Sequence, residues 1–309
     1  MADNFADRLA AAITGKQSQV YVGLDPHLES MPEAFLDRYR GRDGLAAVCA
    51  CIEDFCAAII GAVEPHVVAV KLQLACFEPY GPPGMDVFSR LCREAQSRGL
   101  LVIADAKRGD IGISAACYSA AFLGRPPGLT GGIDGYGVDA MTVNPLFGSD
   151  GIEPFISDCE AYGTGIFVLA KTSNPASAEL QDLTVGSDSR PFYEHVAELV
   201  RDWGSSLTGA EGYSSVGAVV GATQPEIAIS LREVLPKAFF LMPGYGAQGA
   251  TAADVAPVFD NKRRGALVSA SRSIIYPGND QAFERAAAAA ASRMQEELWT
   301  ATGQKPDIP

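Results

Sequence analysis

Residues 45–73 read LAAVCACIEDFCAAIIGAVEPHVVAVKLQ and join a helical pattern to a strand pattern. Apolar residues first recur at the three- and four-residue steps of a helix, namely Leu45, Val48, Ile52, Phe55 and Ile59. The run VVAVKLQ (67–73) is short, continuous and rich in valine, which is typical of a parallel strand buried on both faces. The stretch therefore predicts one helix and the strand that it leads into.

Seven other runs of the same kind extend this pattern over the chain. They are VYVGLD (20–25), LLVIADAK (100–107), AMTVNP (140–145), GIFVLAKT (165–172), VGAVVGAT (216–223), AFFLMPG (238–244) and GALVSAS (265–271). Helical patterns separate most of them, and parallel strands need such crossovers. Eight βα units in about 250 residues predict a (β/α)8 TIM barrel, with an open sheet as the alternative.

The two ends of the chain carry further helical patterns. FADRLAAAIT near the start and QAFERAAAAAASRMQEELW near the end predict extra N- and C-terminal helices. The last residues, TGQKPDIP (302–309), are predicted to form a flexible tail. No linker composition interrupts the chain, so we expect residues 1–309 to form one domain.

Composition excludes several classes of protein. There are 24 Lys+Arg against 37 Asp+Glu, a formal net charge of −13. Nucleic-acid and anionic-membrane binding both need a concentrated basic surface, so neither is expected. Any anionic ligand must be held by a few well-placed cations.

The sequence also predicts a cytoplasmic protein. The first residues carry Asp3 and Asp7 and lack the apolar core of a signal peptide. No apolar run approaches about 18 residues, which argues against a transmembrane span. The seven cysteines show no CxxC spacing and are expected to be mostly buried thiols in a reducing compartment.

Three connections exceed what a minimal barrel needs: 26–43, 124–139 and 173–191. The first and third follow the carboxyl ends of strands. Because barrel enzymes carry their active sites at those ends, both are candidates for substrate contact or closure.

Charged residues lie at the ends of the first three predicted strands. Asp105 and Lys107 are two residues apart, so a strand would point both to one face. Lys71 lies near the carboxyl end of the second run, and Asp25 ends the first. With Asp110 they are expected to converge at the barrel mouth, where acids can keep lysines protonated. The alternatives are a salt bridge that orders the strand end, an edge lysine and a turn-initiating aspartate.

The segment GYGAQG (244–249) follows the seventh run and fits the pattern G-x-G-x-x-G. It does not open a chain-initial βαβ unit, so a dinucleotide site is disfavoured. Loops after the last two barrel strands commonly bind phosphate, and Arg272 follows the eighth run. We therefore expect a phosphate site here, with a tight turn and a surface arginine as the alternative.

Other chemistries find little support in the sequence. Only His27, His66 and His195 are present, without paired spacing, so no metal site is expected. Neither a nucleophile elbow nor a P-loop occurs.

The segment DAKRGDI (105–111) resembles the D-x-K-x-x-D-I hallmark of the orotidine 5′-phosphate decarboxylase family. Further segments resemble the longer bacterial subgroup (type 2): VGLDP (22–26), VKLQLACFEPYG (70–81), TVNPLFGSDGIEPF (142–155), KTSNP (171–175), VVGATQPE (219–226), PGYGAQG (243–249) and SASRSIIY (269–276). D-x-K-x-x-D alone is shared with sugar-phosphate decarboxylases and synthases. The combination is specific to the nucleotide enzymes.

The resemblance implies conversion of orotidine 5′-phosphate to UMP and CO2 in pyrimidine biosynthesis, without a metal or organic cofactor. Lys107 would protonate C6, and Lys71, Asp105 and Asp110 would complete the charged array. The substrate-binding residues that it implies are Asp25 for the ribose, Ser173 for the pyrimidine, Gln248 and Arg272 for the phosphate, and Ile111 and Ser114 across a dimer interface. It also implies a homodimer in which Asp110 reaches the partner's site.

Two other functions remain open at this point. One is a related sugar-phosphate enzyme that binds Mg²⁺ through a strand-end acid. The other is a catalytically silent phosphoribosyl-binding module, against which the intact Asp105, Lys107 and Asp110 argue.

Overall fold

A computed structural model describes residues 3–246, 249–278 and 282–303. Within these ranges eight parallel strands pair in chain order. They are β1 Tyr21–Leu24, β2 Ala69–Gln73, β3 Leu101–Arg108, β4 Ala140–Val143, β5 Gly165–Lys171, β6 Ser214–Val220, β7 Ala238–Pro243 and β8 Ala266–Ser269. Each coincides with one of the eight predicted runs.

The sheet curls back so that β8 meets β1. The amide of Val268 donates to the carbonyl of Gln19 at 2.9 Å, and Val20 forms a parallel bridge with Val268. The amide of Gly23 also donates to Ser271 Oγ at 3.1 Å. The prediction of a (β/α)8 barrel is confirmed, and the open sheet is excluded.

Helices lie between the strands and at both ends of the described chain. The longer ones are α1 Phe5–Lys16, α2 Leu45–Val63, α3 Gly81–Ser97, α4 Gly112–Phe122, α5 Ser149–Tyr162, α6 Phe192–Trp203, α7 Pro225–Val234 and α8 Phe283–Gly303. Short helices lie at Glu33–Leu36, Ala178–Gln181, Ala252–Val255 and Ser271–Ile275. The predicted N- and C-terminal helices are α1 and α8.

Helix α1 closes the amino-terminal end of the barrel. Its buried residues share one core with inward-facing strand residues such as Tyr21 and Ile103. The Phe5 ring meets the Phe167 ring edge-on at 6.0 Å. A second core lies between the strands and the outer helices. With one end of the barrel filled, a ligand can enter only from the carboxyl ends of the strands.

The sequence-based exclusion of a membrane span needs correction at α2. This 19-residue helix is long and apolar enough to cross a membrane by length and composition alone. Glu53 and Asp54 interrupt its apolar sequence but leave its mean hydropathy high. In the fold, Ile52, Phe55 and Ile59 are buried as part of the outer core. Such burial is the normal environment of an apolar helix in a barrel.

The long connection 173–191 contains structure that the sequence analysis did not predict. It holds the short helix Ala178–Gln181 and an antiparallel pair of two-residue strands, Thr184–Val185 and Arg190–Pro191. The predicted tail is also shorter than expected, because α8 includes Thr302 and Gly303. Buried Thr302 accepts a hydrogen bond from Gln19 Nε2 at 2.9 Å, which holds the helix end on the barrel. Residues 304–309 lie outside the described ranges.

Candidate active site

The carboxylate of Asp105 is the centre of a hydrogen-bonded group at the carboxyl ends of β2, β3 and β4. Lys71 Nζ donates to its Oδ2 at 2.5 Å, and Gln73 Nε2 donates to the same atom at 3.0 Å. Lys107 Nζ donates to Oδ1 at 2.6 Å, and Thr142 Oγ1 donates there at 2.9 Å. Two cations and two neutral donors therefore hold one carboxylate.

Strand register explains why these side chains meet. Gln73 lies opposite Asp105 in the β2–β3 pairing, and Lys71 lies two residues earlier on the same face. Ala106 points the other way and is buried in the outer core. The predicted common face of Asp105 and Lys107 agrees with their direct contact.

The charges on this group reinforce one another. Burial favours the neutral acid, but the ammonium groups of Lys71 and Lys107 outweigh it and hold the pKa of Asp105 well below its usual range. Burial likewise disfavours protonated Lys71, yet the carboxylates of Asp105 and Asp25 outweigh it and raise the pKa of Lys71. Both groups are therefore ionised at neutral pH.

The two lysines differ in access to solvent. The Lys71 side chain is 10% exposed, whereas that of Lys107 is 47% exposed. Lys107 also has a left-handed backbone with φ of +48°, which is uncommon for a residue with a Cβ. The Lys107 side chain is therefore the more accessible of the two to solvent.

A cavity of about 200 Å³ opens beside Lys71 at the barrel mouth. Its lining comes from the ends of β1, β2, β7 and β8 and comprises Tyr21, Asp25, Lys71, Pro243, Gly244, Tyr245, Ser269, Ala270, Ser271 and Arg272. Predicted residues from distant parts of the chain, Asp25, Lys71 and Arg272, thus share one space.

Asp25 has one carboxylate oxygen free to accept a hydrogen bond. Its Oδ1 is buried and has no hydrogen-bond partner within the described part of the chain. The loop that carries it is fixed by Tyr276, whose hydroxyl donates to the Asp25 carbonyl at 2.9 Å and accepts from the His27 amide at 2.6 Å. An unpaired buried acceptor is suited to a ligand hydroxyl.

The glycine loop after β7 only partly matches its prediction. Gly246 has a φ of +71°, a conformation that favours glycine. However, its amide donates to the Ala250 carbonyl at 2.9 Å, and the Gly249 amide donates to the Gly246 carbonyl at 2.8 Å. These two N–H groups are already used within the turn and do not point to a phosphate. Gln248 lies outside the described residues.

Ser173 begins the connection after β5, near the end of β6. A Cβ added at Gly221 would lie 2.8 Å from Ser173 Cα, so this glycine permits close approach of the two segments. Thr223 Oγ1 is 3.5 Å from the Ser173 carbonyl. The structure thus brings Ser173 to the carboxyl end of the barrel, although it does not line the cavity.

Asp110 and Ile111 directly precede α4, and Ser114 lies in its first turn. Asp110 Oδ1 accepts from the Ile111 amide at 2.8 Å. Across the described ranges, no hydrogen bond or ion pair joins Asp110 to Lys71 or Lys107. Ile111 and Ser114 are exposed. The predicted convergence of Asp110 with the lysines therefore stays a prediction.

A family model described as "Orotidine 5'-phosphate decarboxylase / HUMPS family" matches residues 18–287. The chain belongs to this family. A curated relative named orotidine 5′-phosphate decarboxylase, from Caldicellulosiruptor saccharolyticus, is 43% identical over 303 residues, covering 96% of this chain and 98% of the relative. One of the same name from Deinococcus radiodurans is 37% identical and covers 98% and 100%.

Solved structures of the decarboxylase family agree with the barrel. A putative orotidine 5′-phosphate decarboxylase from Streptomyces avermitilis superposes with a TM-score of 0.80 at 34% identity, covering 98% of this chain and 97% of that one. A putative orotidine-monophosphate decarboxylase from Toxoplasma gondii also has a TM-score of 0.80, at 29% identity and 98% coverage of both chains. The predicted enzyme class, a carboxy-lyase, is confirmed by these family relationships.

Sequence reasoning missed three residues of the Asp105 group and the cavity, namely Gln73, Thr142 and Tyr21. Gln73 is two residues after Lys71, so the strand period could have placed it on the same face. Thr142 is a polar residue within an apolar run, which is a weaker signal. Tyr21 is fully buried inside the barrel and lines the cavity, but it reads as an ordinary strand aromatic in the sequence.

No group of three or more His, Cys, Asp or Glu side chains in the described ranges is arranged to hold a metal ion. His66 bonds Gln295 at 2.9 Å, and His27 is exposed near the barrel mouth.

Proposed function

We propose that the chain converts orotidine 5′-phosphate to UMP and CO2, with Lys107 as the proton donor and without a metal or organic cofactor. The observation that carries this proposal is Asp105, a buried carboxylate shared by Lys71 and by the more exposed Lys107. This arrangement places two ammonium groups around one carboxylate: that of Lys71 lines the cavity, and that of Lys107 supplies the positive charge and the proton that a carbanion needs.

The proposed reaction uses these charges in order. The bond from C6 of the pyrimidine to its carboxylate breaks, the electron pair stays on C6, and CO2 leaves. The ammonium of Lys107 stabilises the developing charge and then transfers a proton from Nζ to C6. The neutral amine that remains takes a proton back from solvent, which its exposure permits. Asp105 and Lys71 hold Lys107 in place and complete the charged array.

The cavity suggests how the rest of the substrate binds. Asp25 accepts a ribose hydroxyl through its unpaired Oδ1, and Arg272, which lines the same cavity, binds the phosphate. Ser173 contacts the pyrimidine, and Gln248 is proposed as a second phosphate ligand. Phosphate contacts remote from C6 supply binding free energy that helps to desolvate the site.

We further propose a homodimer in which Asp110, Ile111 and Ser114 contact the partner's site. Two neighbouring segments support this proposal by exposing large apolar side chains: Ile111 and Ile113 at the start of α4, and Leu146 and Phe147 after β4. Gly109 faces the Phe147 ring, so the two segments adjoin. Adjoining exposed apolar residues are typical of protein interfaces.

A mixing experiment tests the shared site. Equal amounts of inactive Asp110→Ala and Lys107→Ala proteins should form hybrid dimers with one intact site, so that about a quarter of all sites are wild type after random exchange. Activity should rise toward about a quarter of the wild-type value as subunit exchange proceeds. Verified exchange without any recovery would contradict the shared site.

The proposed compartment is the cytoplasm. All seven cysteines lie in the described ranges as free thiols, six of them buried and Cys117 exposed. Buried unpaired thiols are common where the environment is reducing.

Loss of orotidine 5′-phosphate absorbance, followed with and without a chelator, tests the activity. We expect equal turnover in both conditions. No turnover would overturn the proposal, and turnover abolished by the chelator would favour a metal-dependent enzyme, the other activity that the family's sugar-phosphate members suggest.

A further inference from the structure

Strands β3 and β4 lose their regular pairing beside the Asp105 group. Ala104 pairs with Met141, but the next pair joins Arg108 to Val143, so four steps along β3 correspond to two along β4. Residues 105–107 therefore bulge from the ladder, and Thr142 alone lies opposite them. A bulge of this kind leaves backbone groups without ladder partners and re-aims side chains.

The side chain of Thr142 replaces the missing ladder bonds. Its hydroxyl accepts from the Lys107 amide at 3.0 Å and donates to Asp105 Oδ1 at 2.9 Å. Thr142 is only 2% exposed, so water cannot readily take over either bond. One hydroxyl thus fixes the backbone of Lys107 and the carboxylate that holds the Lys107 ammonium.

The backbone of Lys107 needs such support. Its φ of +48° is a left-handed conformation that is unfavourable for a residue with a Cβ. Strain of this type persists only where surrounding contacts enforce it. The bond from the Lys107 amide to Thr142 is a direct contact of that kind, and it sets the direction in which the lysine side chain leaves the strand.

We infer that Thr142 is a positioning residue, which holds Lys107 and Asp105 in their reactive arrangement through one hydroxyl. This inference rests on the proposed decarboxylation for its kinetic consequence. Its structural content, the bond between the Thr142 hydroxyl and the Lys107 amide, stands apart from the identity of the substrate. The two parts are tested separately.

The kinetic test compares Thr142→Val, which keeps the shape and removes the hydroxyl, with Thr142→Ser, which keeps the hydroxyl. Thr142→Val should lower kcat about 10- to 100-fold, because misplaced reacting groups lose rate at this scale, with KM changed less than about threefold. Thr142→Ser should restore kcat to within about threefold of wild type. Wild-type kcat in Thr142→Val would overturn the inference.

Thr302→Val is the matched control. Thr302 is also buried at the far end of the barrel, and its hydroxyl accepts from Gln19 Nε2 and lies within hydrogen-bond distance of the Leu298 and Trp299 carbonyls. Thr302→Val should lose stability, as Thr142→Val does, but its kcat should equal that of the wild type. An equal fall of kcat in both variants would reduce Thr142 to a structural residue and contradict the inference.

Hydrogen exchange of the Lys107 amide provides a measurement independent of turnover. Exchange should accelerate at least about tenfold in Thr142→Val and stay unchanged in Thr142→Ser and Thr302→Val. If Thr142→Val does not fold, Thr142→Ala serves the same comparison. If the wild type has no activity but Lys107 exchange is faster in Thr142→Val, only the proposed function is contradicted. If Lys107 exchange in Thr142→Val is unchanged, the positioning role of Thr142 is contradicted.

Discussion

Two lysines at strand ends are buried against aspartates, and their surroundings differ. Lys71 shares Asp105 with Lys107 beside an open cavity. Lys171, at the end of β5, is 1% exposed and forms an ion pair with Asp182 of the connection 173–191. It also donates to Ser177 Oγ at 3.2 Å and lies 5.6 Å from the centre of the Tyr193 ring.

The difference concerns what each lysine can reach. The Lys171 ammonium is enclosed by its own chain, and its carboxylate partner belongs to the loop that it holds in place. The Lys71 ammonium faces a cavity, and its carboxylate partner also binds a second, exposed lysine. A buried lysine at a strand end is therefore not in itself evidence of catalysis. The Lys71–Asp105 pair differs because its carboxylate also binds Lys107 and its lysine lines a cavity.

The largest difference between the pairs should be in turnover. Lys71→Met should reduce kcat/KM by at least about 1,000-fold, because Asp105 loses one cation and the charged array is broken. Lys171→Met should reduce it less than about tenfold, through loosening of the loop that carries Ser173. Steady-state assays of both variants measure this contrast, and equal losses would show that it is wrong.

The next effect is on stability. Lys171→Met leaves Asp182 without its partner, and because the Asp182 side chain is 37% exposed and can be hydrated, the loss of unfolding free energy should be about 1 kcal/mol. Lys237→Met, at an exposed lysine, is the control and should change stability by less than about 0.5 kcal/mol. Denaturant unfolding measures both values. A Lys171→Met protein as stable as the control would show that the pair does not anchor the loop.

The smallest effect is the pH dependence of the Lys71–Asp105 pair. The pKa of Asp105 is lowered in the fold, so its contribution to stability is present above its unfolded pKa near 3.8 and is lost as pH falls toward the folded value. The pKa of Lys71 is raised, so its contribution is present below 10.5 and is lost at still higher pH.

The stability difference between wild type and the double variant Lys71→Met/Asp105→Asn should therefore be constant between about pH 5 and pH 9. It should change only outside that window. Unfolding curves at several pH values measure it, and a difference that changes steadily across neutral pH would contradict two ionised partners.

The sequence predicted the parts of this molecule that follow from strand periodicity. All eight strands follow from local sequence pattern. The contact of Asp105 with Lys107 was also predicted, but its geometry depends on the bulge and on the left-handed backbone of Lys107. The β3–β4 bulge could not be predicted, because it depends on the register between strands that are distant in sequence. For the same reason Thr142 was missed, although it touches both Asp105 and Lys107.

Other outcomes depended on tertiary packing. Thr302 was predicted in a flexible tail, yet its contact with Gln19 near the start of the chain extends α8. The net charge of −13 predicts that a few placed cations hold any anionic ligand, but the glycine-loop amides expected to assist them are partly used within their own turn. The sequence shows that glycines are present in the loop, but only the fold shows which of their N–H groups are free to bind a ligand.

The central claim is that Lys107, held by Asp105, donates the proton in decarboxylation. Turnover of orotidine 5′-phosphate by Lys107→Ala tests it most directly, with Lys262→Ala as the control at an exposed lysine and with substrate binding and melting temperature measured on both. We expect Lys107→Ala to lose at least about 1,000-fold in kcat while it still folds and binds substrate, and Lys262→Ala to match wild type. Near wild-type kcat in Lys107→Ala would contradict the claim.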